Sequence, residues 1–333
     1  MKTLIIAEAG VNHNGSLDTA IQMIKVASEC GADVIKFQTF NASRLVTRQA
    51  RMADYQIKNT EMNESQHNML ARLQLDHEDF KVLREECEKH KVEFLSTAFD
   101  TESLEFLAGM MPNRIKVPSG EITNLPYLRQ VASYGKEIIL STGMASMAEI
   151  QTAVDALEDS GMKREEIVIL HCTTNYPTRM HEVNLRAMNT IGREFKVRVG
   201  YSDHTLGIEV PVAAVALGAT VIEKHFTIDR EMAGPDHKAS MEPEELKALV
   251  EAIRNTEIAL GSDQKTPTES ELQIAKVARK SIVVRSPIKK GEKFSSENLT
   301  CKRPGTGISP MLWDEVIGTT ALRDFEEDEI LEI

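Results

Sequence analysis

Residues 198–227 read RVGYSDHTLGIEVPVAAVALGATVIEKHFT: two short β-like runs separated by an apolar, small-residue segment of helical character. A histidine stands just past each run, His204 after the first and His225 after the second. If the runs are neighbouring parallel strands joined by the intervening helix, they lie about 4.8 Å apart and both imidazoles leave the sheet at one edge. Two imidazoles converging there point to a divalent metal ion.

The same strand-then-helix unit recurs along the chain. Strand character is expected at 4–7, 34–37, 93–96, 114–117, 137–140, 167–171, 197–201 and 221–224, and helices at 17–30, 77–90, 102–108, 125–133, 147–160, 185–191, 211–217 and 243–260. Eight such units in about 260 residues predict a TIM (β/α)8 barrel. A doubly wound open sheet competes, but no GxGxxG or GxxxxGK[ST] loop follows any strand. The segment 41–76 is too long for an ordinary βα loop, and its polar YQIKNTEMNESQ is expected to form a lid over a substrate. Beyond residue 262 the composition changes to that of a linker, 263–280, followed by a small β-like module, 281–333.

Composition narrows the function classes. Of 333 residues 41% are hydrophobic and 27% charged, as in ordinary globular enzymes, and a net charge of −12 argues against a nucleic-acid surface. The apolar residues 4–7 before Glu8 are too few for a secretory signal, and no run approaches membrane-spanning length, so a cytoplasmic protein is expected. Cys30, Cys87, Cys172 and Cys301 lack metal-type spacing and are expected to be buried free thiols.

A TIM barrel carries its chemistry at the carboxyl ends of its strands, and here those ends are polar. They bear Glu8, Lys36 and Gln38, Ser96 and Thr97, Lys116 with Ser119 and Glu121, Ser141 and Thr142, His171 with Thr173 and Thr174, Ser202 and His204, and Glu223 and His225. Lone histidines are more often structural, which is the reading kept for His13, His67, His77, His90 and His181. Lysines pointing into a barrel mouth need an anion, so Lys36 and Lys116 read as a phosphate or carboxylate clamp, with hydroxyl donors from Ser119, Ser141, Thr142 and Ser202. The competing role for either lysine is a Schiff-base nucleophile. In the module, Lys302-Arg303-Pro304-Gly305-Thr306-Gly307 is either a solvated turn or a rigid loop presenting Arg303 as a hydrogen-bond fork.

The motifs AEAGVNHNG, KFQTF, KVPSGE, LSTGM, LHCTTNYPT, GYSDHT, EKHFT, GPDHKAS and KRPGTG, in order along the whole chain, resemble the bacterial sialic acid synthase family, which includes legionaminic acid synthases. The resemblance implies a barrel with a C-terminal antifreeze-like (SAF) domain, joining phosphoenolpyruvate to an N-acetylated hexose with release of phosphate. It implies that Lys36, Thr97, Lys116, Ser119, Ser141 and Ser202 hold phosphoenolpyruvate, with Gln38, Thr174 and Tyr176 lining the pocket. His204 and His225 are implied as ligands of a divalent metal, Mn2+ before Mg2+ or Co2+, that polarises the sugar aldehyde, with Glu8 nearby through water. Glu121 is the candidate proton relay. The resemblance also implies a domain-exchanged homodimer in which Arg303 reaches the sugar's N-acetyl group from the partner subunit. Where some members have histidine after the lysine of the second-strand motif, this chain has Phe37, and it has Thr174 in place of their asparagine. The first reading of the product is N-acetylneuraminate, made from N-acetylmannosamine. The alternative is N,N'-diacetyllegionaminate, made from 2,4-diacetamido-2,4,6-trideoxymannose.

Overall fold

A computed structural model describes residues 2–60, 62 and 64–331. Ile333, the expected end of the C-terminal module, and Glu61 and Asn63 of the 55–66 stretch lie outside the described residues. The chain forms two compact units, Met1–Gly261 and Ser262–Ile333.

In the first unit eight parallel strands close into a barrel in sequence order, each paired with the next and the last with the first. They are β1 (Leu4–Gly10), β2 (Val34–Thr39), β3 (Glu93–Ala98), β4 (Arg114–Val117), β5 (Glu137–Ser141), β6 (Ile167–Cys172), β7 (Arg198–Asp203) and β8 (Val221–His225). This is the TIM barrel predicted above. Most strands run one to three residues past their expected ends, because the polar residues that read as turns find partners within the barrel. Thr39 Oγ1 and Ser96 Oγ lie 2.7 Å apart, and Lys36 Nζ donates to Thr97 Oγ1 at 3.0 Å. The backbone ladder therefore continues, pairing Gln38 with Thr97 and Ser202 with Glu223.

Helices begin where a short polar side chain takes up an orphan amide. Ser16 accepts from the Thr19 N–H, Asp100 from the Ser103 N–H, and Ser146 and Glu149 cap each other reciprocally. Their buried stripes, such as Phe80, Leu83 and Cys87 of the helix His77–His90, join one continuous core around the barrel. Inside the barrel the closest approach is at Gly200, where a Cβ would stand 2.4 Å from the Val221 carbonyl and 2.6 Å from Leu170 Cδ2. Alanine there must push β7 from β8. Gly200→Ala is expected to cost roughly 1–3 kcal/mol, several degrees in a thermal melt, and an unchanged midpoint would contradict this packing.

The 41–76 excursion is folded rather than a bare loop. It carries helices Ala42–Leu45, Asp54–Thr60 and Gln66–Leu73, closed on a cluster of Val11, Phe40, Met52, Met69, Leu70 and Leu73 separate from the barrel core.

In the second unit a helix, Glu269–Ala278, occupies the stretch expected as linker, capped reciprocally by Thr268 and Glu271. Two antiparallel strands follow, β9 (Ser281–Val284) and β10 (Leu299–Lys302), extended by single bridges from Val283 to Ile330 and from Ile288 to Phe325. Ile282, Val284, Phe294, Leu299 and Leu331 fill its small core. Cys30, Cys87 and Cys172 are buried free thiols; Cys301, on this thin two-stranded sheet, is only partly buried, contrary to expectation. Among the described residues no helix is long and apolar enough to cross a membrane.

Candidate active site

The carboxyl ends of the barrel strands enclose a cavity of about 200 Å3. Strand alternation turns every second side chain inward. β1 supplies Glu8, β2 Lys36 and Gln38, β3 Thr97 and β4 Lys116, while β5, β7 and β8 supply Ser141, Ser202, Glu223 and His225. Loops complete the wall with Ser119, Thr174, Tyr176 and His204.

Glu121 ends a 3-10 turn, Ser119–Glu121, whose first two residues line the cavity while Glu121 is not among the lining residues. Asn124 Nδ2 donates to its carboxylate at 2.6 Å, and partial burial pushes its pKa up. Among the described residues the carboxylates that line the cavity are Glu8 and Glu223, and the proton-relay role of Glu121 stays an expectation from the sequence. Arg303 belongs to the second unit, where it is exposed on the loop after β10.

The cavity floor holds two lysines and two glutamates. Lys36 Nζ lies 2.6 Å from Glu8 Oε2 and 3.7 Å from Glu223 Oε2. Lys116 Nζ donates to Ser141 Oγ at 2.7 Å and lies 3.7 Å from Glu223 Oε1, which accepts from Ser202 Oγ at 3.1 Å. Burial acts against every charge here, yet Glu223 and Glu8 outweigh it at Lys36 and hold that ammonium above its ordinary pKa. A protonated Lys36 has no lone pair for a Schiff base. At Lys116 burial wins and lowers the pKa, while Lys116 and Lys36 together hold Glu223 below the usual carboxylate range against its own burial. Glu8 is pushed up to about 7 by burial, with Lys36 opposing.

The two histidines face each other across this floor, ring centroids 5.5 Å apart at 47°. His204 Nδ1 donates to the Thr173 carbonyl at 2.7 Å, which fixes its tautomer and leaves Nε2 with a free lone pair. Burial drives its pKa down to about 4, and burial together with His204 drives that of His225 well below the ordinary value, so both rings are neutral at pH 7. His225 Nδ1 is buried without a hydrogen-bond partner among the described residues. Neutral imidazoles with free nitrogens beside a carboxylate fit a divalent cation. Gly10 lies beside this spot at φ 54°, a backbone conformation that favours glycine, and a Cβ there would stand 3.3 Å from Gln38 Nε2.

The NeuB family matches residues 23–265, and the SAF domain matches residues 279–332. The chain belongs to the NeuB family. It is an enzyme, a phosphoenolpyruvate-dependent nonulosonic acid synthase that forms a carbon–carbon bond. It is 51% identical to an N,N'-diacetyllegionaminic acid synthase of Campylobacter jejuni, with 99% of each chain covered. It is 47% identical to an N,N'-diacetyllegionaminic acid synthase of Legionella pneumophila, covering 96% of this chain and 90% of the other. Among solved structures, the N-acetylneuraminic acid synthetase of Leptospira borgpetersenii matches at 34% identity and TM-score 0.72, over 82% of this chain and 90% of that one.

In this NeuB-family chain Tyr176 roofs the histidines, its ring centroid 4.1 Å from that of His204 and 5.6 Å from that of His225. Tyr55, on the helix Asp54–Thr60, stacks on Tyr176 at 5.2 Å, and Asn59 of that helix donates to the Pro235 carbonyl at 2.7 Å. The excursion thus reaches the site through one aromatic ring. Sequence reasoning assigned no role to Tyr55, Cys172 or Glu223. Only Glu223 carried a signal, standing two residues before His225 and so on the same inward face. Of the histidines read as structural, His13 accepts from the Gly15 N–H at 3.1 Å and His77 stacks on Phe106 at 3.9 Å.

Proposed function

We propose that the chain condenses phosphoenolpyruvate with 2,4-diacetamido-2,4,6-trideoxymannose and water to give N,N'-diacetyllegionaminate and phosphate. The observation that carries this reading is the full-length match to two legionaminic acid synthases, which displaces the N-acetylneuraminate product favoured from motifs alone. Motifs around the anion clamp do not encode the sugar, so they favoured the wider label.

The floor geometry supports the anion half of the reaction. Lys36 and Lys116, with hydroxyls from Thr97, Ser119, Ser141 and Ser202, hold the phosphate and carboxylate of phosphoenolpyruvate and stabilise the charge of the departing phosphate. His204 and His225 would hold the divalent cation, Mn2+ before Mg2+ or Co2+. When bound, it supplies Lewis acidity at the sugar's aldehyde oxygen, which makes that carbon a target for the methylene carbon of phosphoenolpyruvate. Glu8, fixed by Lys36 and by Gln38 Nε2 at 3.2 Å, orders water beside His225. Water adds to the former enol carbon, and its C–O bond to phosphate breaks. Arg303, on a domain-exchanged partner, is assigned to the sugar's N-acetyl group on the family resemblance, and the oligomeric state in solution checks this.

The sugar assignment is tested by comparing kcat/KM for 2,4-diacetamido-2,4,6-trideoxymannose and N-acetylmannosamine. A site with donors placed for the second acetamido group leaves them unpaired with the simpler sugar, so a preference of at least about a hundredfold is expected. Equal values, or the reverse order, would return the product to N-acetylneuraminate.

A further inference from the structure

Glu223 is a strange neighbour for a bound phosphate. Lys36 and Lys116 share the floor with two carboxylates, Glu8 and Glu223, although the floor is read as a receptor for a multiply charged anion. Glu8 accounts for its place by bonding Lys36 directly at 2.6 Å. Glu223 stands farther from both lysines than Glu8 does from Lys36. Its two oxygens each stand 3.7 Å from one ammonium, Oε1 from Lys116 and Oε2 from Lys36, just beyond hydrogen-bond reach. Its Oε1 is pinned by Ser202 at 3.1 Å, and its Oε2 is buried with no hydrogen-bond partner among the described residues.

That spacing has a specific effect. Coulomb attraction at 3.7 Å sets one negative charge against both ammonium groups, while Glu223 takes up none of the N–H donors left over from Glu8 and Thr97 at Lys36 and from Ser141 at Lys116. We propose that Glu223 is a counter-charge: with Glu8 it offsets Lys36 and Lys116, leaves their remaining donors to the substrate phosphate, and weakens the hold on product phosphate so that it leaves. The proposal rests on the phosphoenolpyruvate reading of the cavity. It makes Glu223 a positioning residue that acts through the two lysines and opposes anion binding.

A residue that merely supports the fold would weaken anion binding when changed; a counter-charge strengthens it. Calorimetric titration of the full-length chain with inorganic phosphate, and separately with phosphoenolpyruvate, distinguishes the two. Glu223→Gln keeps the shape and a partner for Ser202 but removes the charge. It is expected to bind phosphate about tenfold more tightly than wild type, about 1.4 kcal/mol. Glu223→Asp keeps the charge but draws it back from the lysines, and its affinity should fall between the two. In turnover, kcat and the KM for phosphoenolpyruvate should fall together in Glu223→Gln, with stronger inhibition by added phosphate, as product release becomes limiting. Should Glu223→Gln fail to fold, the Asp variant decides, through the rise of its melting temperature with phosphate concentration compared with wild type. Weaker or unchanged phosphate binding in the folded variants overturns the inference. A wild-type chain that binds neither anion overturns the reading of the site, and this inference with it.

Discussion

His204→Ala and His225→Ala are each expected to lower kcat by about a thousandfold or more, corresponding to roughly 4 kcal/mol of lost transition-state stabilisation. The size follows from how little else these rings do. Both are buried and neutral, and their only polar tie to the protein that the structure shows is the His204 bond to the Thr173 carbonyl. Losing that bond costs about 1 kcal/mol of stability, and emptying a ring's place under Tyr176 adds roughly 2–3 kcal/mol, so a thermal melt accompanies each variant to confirm that it is folded. The decisive readout is the cation itself: Mn2+ binding followed by electron paramagnetic resonance should be tight in wild type and lost in both variants. Chelation of wild type with EDTA should abolish turnover, and added Mn2+ should restore it. Variants that still bind Mn2+ and turn over would remove the histidines from the metal role.

Lys36→Met is expected to fail twice over, in stability and in binding. The ammonium is buried beside Glu8 and Glu223, and removing one partner of a buried pair leaves charge uncompensated, a loss of about 3–5 kcal/mol. The loss has a pH signature. Glu8 already sits at about 7 in the folded protein against an ordinary 4.5, so its contribution to stability is full below 4.5 and is lost as pH rises through 7. Without Lys36 its folded pKa rises further, and the stability deficit should be small at pH 5 and large at pH 8. Thermal melts at the two values check the sign; an equal deficit at both would show that the pair is not coupled. Phosphoenolpyruvate affinity should fall at either pH, because one arm of the clamp is gone.

The barrel was legible because its signal is repeated. Alternating runs and amphipathic helices give eight chances to see one unit, and strand starts such as Leu4, Val34, Glu93 and Val221 stand where expected. Strand ends were harder for a physical reason: Gln38, Thr97, Ser202 and Asp203 have turn-like chemistry but are paired inside a closed sheet, a context that local sequence does not carry. The same polarity hid the helices of the 41–76 segment. The helix Glu269–Ala278 was concealed by its charges, although Thr268 and Glu271 carry a capping-box spacing. For the site, strand position was enough to bring Lys36, Lys116, His204 and His225 to one cavity at the carboxyl ends of the strands. The 3-10 turn Ser119–Glu121, which carries the chain past the lining residues Ser119 and Gly120, was invisible in composition.

The excursion between β2 and β3 closes on its own apolar cluster, to which the rest of the barrel lends little more than Val11 and Phe40. It meets the histidine pair through Tyr55 on Tyr176, whereas every charged group of the floor is carried by a strand. A change inside that cluster therefore disturbs the segment's own packing first, and Tyr55 is the point at which such a disturbance would be felt beside the histidines, with the strand-borne charges left in place.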